Sequence, residues 1–241
     1  MLLGLSAIAG LAWWYVIHLA REMSPSGMDM AMPMLQQWRA VDVALLFVMW
    51  LVMMVAMMVP SATPMLLMFA TIVRQRRERQ QPAVPTGVFL VGYLLVWAGY
   101  SGIATFAQWA LHSAALLSPM MMTTSARLGG GLLIVAGLFQ FTPLKSVCLS
   151  RCRSPLGFLT AEWREGVRGA LIMGVKHGGY CVTCCWSLMA LLFVAGVMNL
   201  LWVVGIAAFV LLEKMVPSGR LLSRAAGVVF VATGIWMASG V

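Results

Sequence analysis

Long apolar runs separated by short polar stretches organise this chain. Seven of them, residues 2–19, 43–73, 87–111, 128–143, 180–198, 200–215 and 221–238, are read as membrane-spanning helices, each of which needs about 20 mostly apolar residues. The second run contains Pro60 and Pro64 and is expected to continue as helix past both. The fifth is preceded by a shorter segment, 162–176, and the Pro-Ser-Gly turn at 217–219 joins the last two as a helical hairpin. The first run lacks a basic stretch ahead of it and carries Trp13, Trp14 and Tyr15 near its end. It therefore reads as an uncleaved anchor with an aromatic belt rather than a signal peptide. The runs are continuous, without the ten-residue alternation of membrane β-strands. The pattern predicts an all-α, polytopic transmembrane bundle forming a single integral membrane domain over residues 1–241, with the lipid bilayer as its first partner.

Composition sharpens this picture. Apolar residues make up 62% of the chain and charged ones 10%, against roughly a quarter charged in soluble domains. If seven spans alternate, one side of the membrane holds Arg74, Arg76, Arg77, Arg79, Lys145, Arg151, Arg153, Arg164, Arg168, Lys176, Lys214, Arg220 and Arg224. The other holds Arg21, Arg39 and Arg127. Basic loops stay in the cytoplasm, so the N-terminus is expected inside, the C-terminus outside, and the chain in the inner (cytoplasmic) membrane as a multi-pass protein. The net charge of +9 then follows from topology. No base-stacking or groove-reading feature accompanies it, which argues against a nucleic-acid partner. The run at 74–79 is expected to lie near anionic headgroups. Lys145, Glu213 and Lys214 fall near span ends and are read as snorkelling to the interface.

Soft ligands are the unusual chemistry. Cys181, Cys184 and Cys185 fall in CVTCCW, residues 181–186. On a helix Cys181 aligns with both of the others, and His177, four residues earlier, joins that face. Gly178-Gly179 is expected to break the helix and free His177 to turn toward the site. Cys148 and Cys152, past the fourth span, share a face if that stretch is helical. A lone buried cysteine is ordinarily a small hydrophobe, but three within five residues beside an imidazole form a constellation suited to Cu(I), zinc or an iron–sulfur cluster. A permanent disulfide is disfavoured in a reducing cytoplasm, and adjacent Cys184 and Cys185 point in different directions from a helix.

Methionine is the second signal, with 21 residues in the chain. Met28, Met30, Met32 and Met34 alternate in the loop after the first span, where there is little apolar core for them to fill. Thioethers bind Cu(I) and persist where thiols oxidise, so these four are candidate ligands on the outer side. The second span carries Met49, Met53, Met54, Met57 and Met58, and another loop Met120, Met121 and Met122; in the span, methionine also serves as a gap-filler. His18 and His112 end two spans on the same outer side. No P-loop, dinucleotide fingerprint, metalloprotease helix or serine elbow is present, so the chain is not expected to be an enzyme.

The stretches WLVMMVAMMVPSATP (50–64), GLFQFTPLKSVCLSRCRSP (137–155), HGGYCVTCCWSLM (177–189), GVMNL (196–200) and LEKMVPSG (212–219) resemble the family of predicted metal-binding integral membrane proteins, named for polyphenol-oxidase-associated members. The resemblance runs from the second span onward and leaves the first span and its methionine loop outside. It implies copper as the metal, Cys148, Cys152, Cys181, Cys184 and Cys185 as ligands with His177 adjacent, and a membrane copper chaperone serving a copper oxidase or monooxygenase. The residues leave alternatives: a membrane thiol–disulfide redox protein, a non-catalytic accessory subunit of a copper enzyme complex, or a carrier of mercury or zinc. The wealth of methionine favours copper over zinc.

Overall fold

The computed structural model describes residues 2–22, 39–114, 116, 125–197 and 199–239. The methionine loop with Met28, Met30, Met32 and Met34 lies outside them, as do Met120, Met121 and Met122. Among the described residues all regular structure is helical: α1 Leu2–Glu22, α2 Ala40–Glu78, α3 Thr86–Ser113, α4 Ala126–Phe139, α5 Pro143–Arg153, α6 Pro155–Glu162, α7 Gly166–Ala190, α8 Leu192–Ala195, α9 Leu200–Met215 and α10 Gly219–Ser239. Apolar side chains such as Leu3, Ile103, Phe106, Val228 and Trp236 point outward, as on a surface meant for lipid.

Local chemistry accounts for the element boundaries. The Asp42 carboxylate accepts the Arg39 backbone N–H at 2.9 Å, half of a capping box at the start of α2. That helix continues past Pro60 and Pro64 as expected. Ser61 and Thr63 donate to the carbonyls of Met58 and Val59 at 2.9 and 3.0 Å, the kind of local repair that lets proline sit in an apolar helix. Thr142 accepts the Lys145 N–H at 3.3 Å and Pro143 occupies the first turn of α5, a favoured start for a new helix. The chain bends by 66° between α4 and α5, so the expected fourth span stops at Phe139.

One expectation changes. The segment 162–176 does not stand apart from the fifth span: α7 runs unbroken from Gly166 through Gly178-Gly179. The glycines serve packing instead. A Cβ on Gly178 would come within 3.0 Å of the Val96 side chain. One on Gly174 would collide with the Phe89 carbonyl, and one on Gly92 with that of Leu171. Backbone therefore packs on backbone between α3 and α7. Length and composition support part of the expected span count. Five helices (α1, α2, α3, α7 extended through α8, and α10) are long and apolar enough to cross a membrane, and the bent pair α4–α5 makes six. The remaining expected span, α9, has 16 residues, rising about 24 Å against a hydrocarbon thickness of about 30 Å.

The contacts fix helix directions. Residues 15–20 of α1 meet Met49 and Met53 of α2, so these two run antiparallel. Trp50 meets Gln108 and Phe69 meets Phe89, so α2 and α3 are antiparallel as well. Gly92 meets Gly174 while Tyr100 reaches Trp186, which makes α3 and α7 parallel. Val203 lies near Met49 and Met53 while Lys214 bonds Ser61, which makes α2 and α9 parallel. The α4–α10 pair is antiparallel through Gly130 on Gly234 and Gly137 on Gly227. The middle of the bundle is the buried stripe of α2, surrounded by α1, α3 and α9.

Candidate metal-binding site

The α7 helix turns one stripe inward, and that stripe carries His177, Cys181, Cys184 and Cys185, all of them buried. The spacing read from the sequence thus produces one face. Cys184 and Cys185 sulfurs lie 3.3 Å apart, and the Cys184 thiol also reaches the Cys181 carbonyl at 3.2 Å. The α5 helix brings a fourth sulfur, with Cys152 Sγ 4.0 Å from Cys184 Sγ. Cys148, also on α5, is buried. The five cysteines are free thiols.

Three residues that sequence reasoning did not place in the site complete it. Lys214 of α9 is buried, and its Nζ donates to Cys181 Sγ at 3.0 Å and to Ser61 Oγ of α2 at 2.9 Å. Tyr93 of α3 lies 3.2 Å from Cys181 Sγ and donates to the Met58 carbonyl of α2, also at 3.2 Å. Cys181 is therefore the point where α2, α3, α7 and α9 meet. A buried ammonium is costly without a negative partner, and the sulfur of Cys181 is where the geometry offers one.

Behind Lys214 sits a second buried charge pair. Lys145 of α5 is 1% exposed and Glu213 of α9 is 0% exposed, with Lys145 Nζ 2.8 and 2.9 Å from the two carboxylate oxygens. Ser223 of α10 donates to the same carboxylate. The snorkelling read from the sequence is thus corrected: these charges turn inward because they have one another. Arg153 at the end of α5 donates to the carbonyls of Val216 and Pro217 at 2.5 and 2.9 Å. The helix carrying Cys152 is in this way fastened at both ends to the α9–α10 hairpin that carries Lys214.

His177 is placed differently from the sulfurs. Its ring sits in an aromatic box, stacked on Tyr93 at 5.8 Å and edge-on to Phe158 at 5.4 Å between centroids, with Phe89 at 6.0 Å. Its Nδ1 is buried and has no hydrogen-bond partner among the described residues. At the edge of the bundle, Lys176 donates to Glu162 at 2.5 Å and holds that carboxyl below its usual range.

Chemically, the arrangement offers four adjoining thiols, three of them buried and Cys152 half-buried, with a fixed positive charge and a phenol. Among the described residues, no three His, Cys, Asp or Glu side chains already stand as a metal cage; the sulfurs pack against one another. The aligned cysteines could be found from spacing alone. Tyr93 and Ser61 gave no such signal, and the Glu213-Lys214 dipeptide within an apolar run was the one trace of the buried charges.

A family model described as a copper chaperone, PpoB2, matches residues 47–237, from within α2 almost to the end of α10, in accord with the resemblance read from the motifs. No curated protein and no solved structure matches the chain.

Proposed function

From the premise that this chain belongs to the PpoB2 family of copper chaperones, we propose that it carries Cu(I) as its cargo on the cysteines of α5 and α7. The observation that supports this most is the meeting of half-buried Cys152 with buried Cys181, Cys184 and Cys185 in one group beside the Lys214 ammonium. Thiolates are soft ligands that suit Cu(I), and each bound thiolate adds a negative charge that a buried site must balance. Lys214 supplies that balance. Cys148 and His177, one helical turn from Cys152 and Cys181, are second-rank ligands. Met28, Met30, Met32 and Met34 act as an outer collecting site.

The setting is the cytoplasmic membrane, with the N-terminus inside. The helix directions support seven alternating crossings: α1, α3, α7 and α10 run one way and α2, α4 and α9 the other. With the basic loops inside, the cysteine group lies about 22 Å along α7 from its cytoplasmic start at Gly166. The recipient is a copper oxidase or monooxygenase, to which the metal passes by thiolate exchange without change of oxidation state.

The test is elemental analysis of protein purified anaerobically in detergent, beside the variant with Cys181, Cys184 and Cys185 all changed to Ser. At least one copper per chain, lost in the variant, is expected; equal copper in both would refute the site. A thiol–disulfide function rests on the same sulfurs, since Cys152 and Cys184 are 4.0 Å apart. It predicts a reversible disulfide in thiol trapping and no dependence on metal.

A further inference from the structure

The thiol group accounts for the cysteines and leaves the buried methionines of α2 unexplained. Of 15 buried residues on that helix, six are methionine (Met49, Met53, Met54, Met57, Met58 and Met65) and two are leucine. Leucine is as good a helix former and equally apolar, so burial alone does not select methionine. Methionine fills irregular gaps well, but that role has no reason to repeat at a fixed interval.

Here it repeats. Met49, Met53 and Met57 are successive i, i+4 positions and share one face; their relative exposures are 7%, 2% and 2%. Each step rises about 6 Å. The next position in the series is Ser61, which accepts from Lys214, which in turn donates to Cys181. At the other end, Met49 and Met53 line a small apolar cavity with Tyr15, Leu200 and Val203. That cavity lies at the end of the bundle away from the cysteines, where α1 finishes and α9 begins.

We propose that Met49, Met53 and Met57 form a thioether ladder that conducts Cu(I) from the cavity near the start of α2 to the thiol group at Cys181. The inference rests on the Cu(I)-binding reading of the cysteines and adds a direction to it: metal enters at the end opposite the thiols. Thioethers are neutral and bind Cu(I) softly, so a monovalent ion moves down the row by ligand substitution without carrying a counter-ion into the apolar interior. The stronger thiolate ligands lie at the end of the row, and no electron transfer is involved at any step.

Leucine is nearly isosteric with methionine and such swaps are well tolerated in cores, which gives a clean test. Wild-type protein and the variant with Met49, Met53 and Met57 all changed to Leu are reconstituted into liposomes containing a sealed-in, membrane-impermeant chromophoric Cu(I) chelator. Cu(I) is added outside as its acetonitrile complex. Wild type is expected to deliver copper to the lumen well above protein-free liposomes, and the triple variant at least tenfold more slowly. Met68→Leu, off the ladder on the same helix, should match wild type. Met57→Leu alone, which disturbs folding least, should already slow delivery severalfold. Equal rates in wild type and the ladder variants, or no delivery by wild type, would overturn the ladder. Equilibrium copper content of the same preparations separates the two readings: a ladder variant still binds copper at the cysteines, whereas absence of copper from wild type removes the thiol site itself.

Discussion

Removing the Lys145 ammonium is the sharpest test of how the site is held. With Nζ 2.8 Å from a carboxylate oxygen, the attraction in an effective dielectric of about 20 is about 6 kcal/mol. Desolvation of both groups offsets most of that, so the pair contributes little relative to an apolar pair of equal volume. Breaking it from one side is another matter. Lys145→Met leaves the Glu213 carboxylate buried with Ser223 as its remaining partner in the group, and such an orphaned charge costs about 3–5 kcal/mol. Lys145→Met combined with Glu213→Leu removes the charge altogether and should regain most of the loss. The assay is reversible unfolding in detergent micelles by SDS titration, followed by helical circular dichroism, for the four proteins of the cycle. Near-additive losses, or a single variant costing less than about 1 kcal/mol, would refute the view that these charges turn inward because each depends on the other. Restored stability in the double variant would confirm it.

Two further outcomes follow from the geometry. Lys214→Met should weaken Cu(I) binding about 10–100-fold, the usual cost of losing an outer-sphere partner, while Lys214→Arg retains more of the affinity; competition against a chromophoric Cu(I) chelator measures both, and unchanged affinity would exclude a charge-balancing role. Gly130→Leu should destabilise the protein by about 1–3 kcal/mol through overpacking, because a Cβ there would lie 2.6 Å from the Gly234 carbonyl. Gly131→Leu, where a Cβ meets nothing within 4 Å, is the neutral control, and thermal unfolding distinguishes them.

Local features were readable from the chain in proportion to how locally they are caused. The helical class, the hairpin at 217–219, the passage of α2 through its two prolines and the shared face of His177, Cys181, Cys184 and Cys185 all depend on spacing and on residues a few positions apart. The continuity of α7 was not readable, because Gly178 is kept helical by Val96 and Tyr93 of another helix. The short reach of α4 was hidden because its apolar character continues past the bend, through Phe141 to Leu144. The site's polar members were the least accessible. Lys214 and Ser61 are 153 positions apart and Tyr93 and Cys181 are 88 apart, so no periodicity connects them. A lysine near a span end resembles an interfacial lysine until its carboxylate or sulfur partner is known. That is why Lys145, Glu213 and Lys214 were first given to the interface.

The short helices set a relation between the protein and the thickness of its bilayer. The 14 residues of α4 rise about 21 Å and the 16 of α9 about 24 Å, whereas the 21 of α10 rise about 31 Å. α4 gives way to α5 at the bend, and Lys145 of α5 ties that helix to Glu213 of α9. A helix that crosses a bilayer of about 30 Å with so short a rise requires the hydrocarbon beside it to thin, at a cost of fractions of a kcal/mol per ångström. A short helix beside a long one in this way ties the seating of the bundle to the thickness of whatever apolar layer surrounds it.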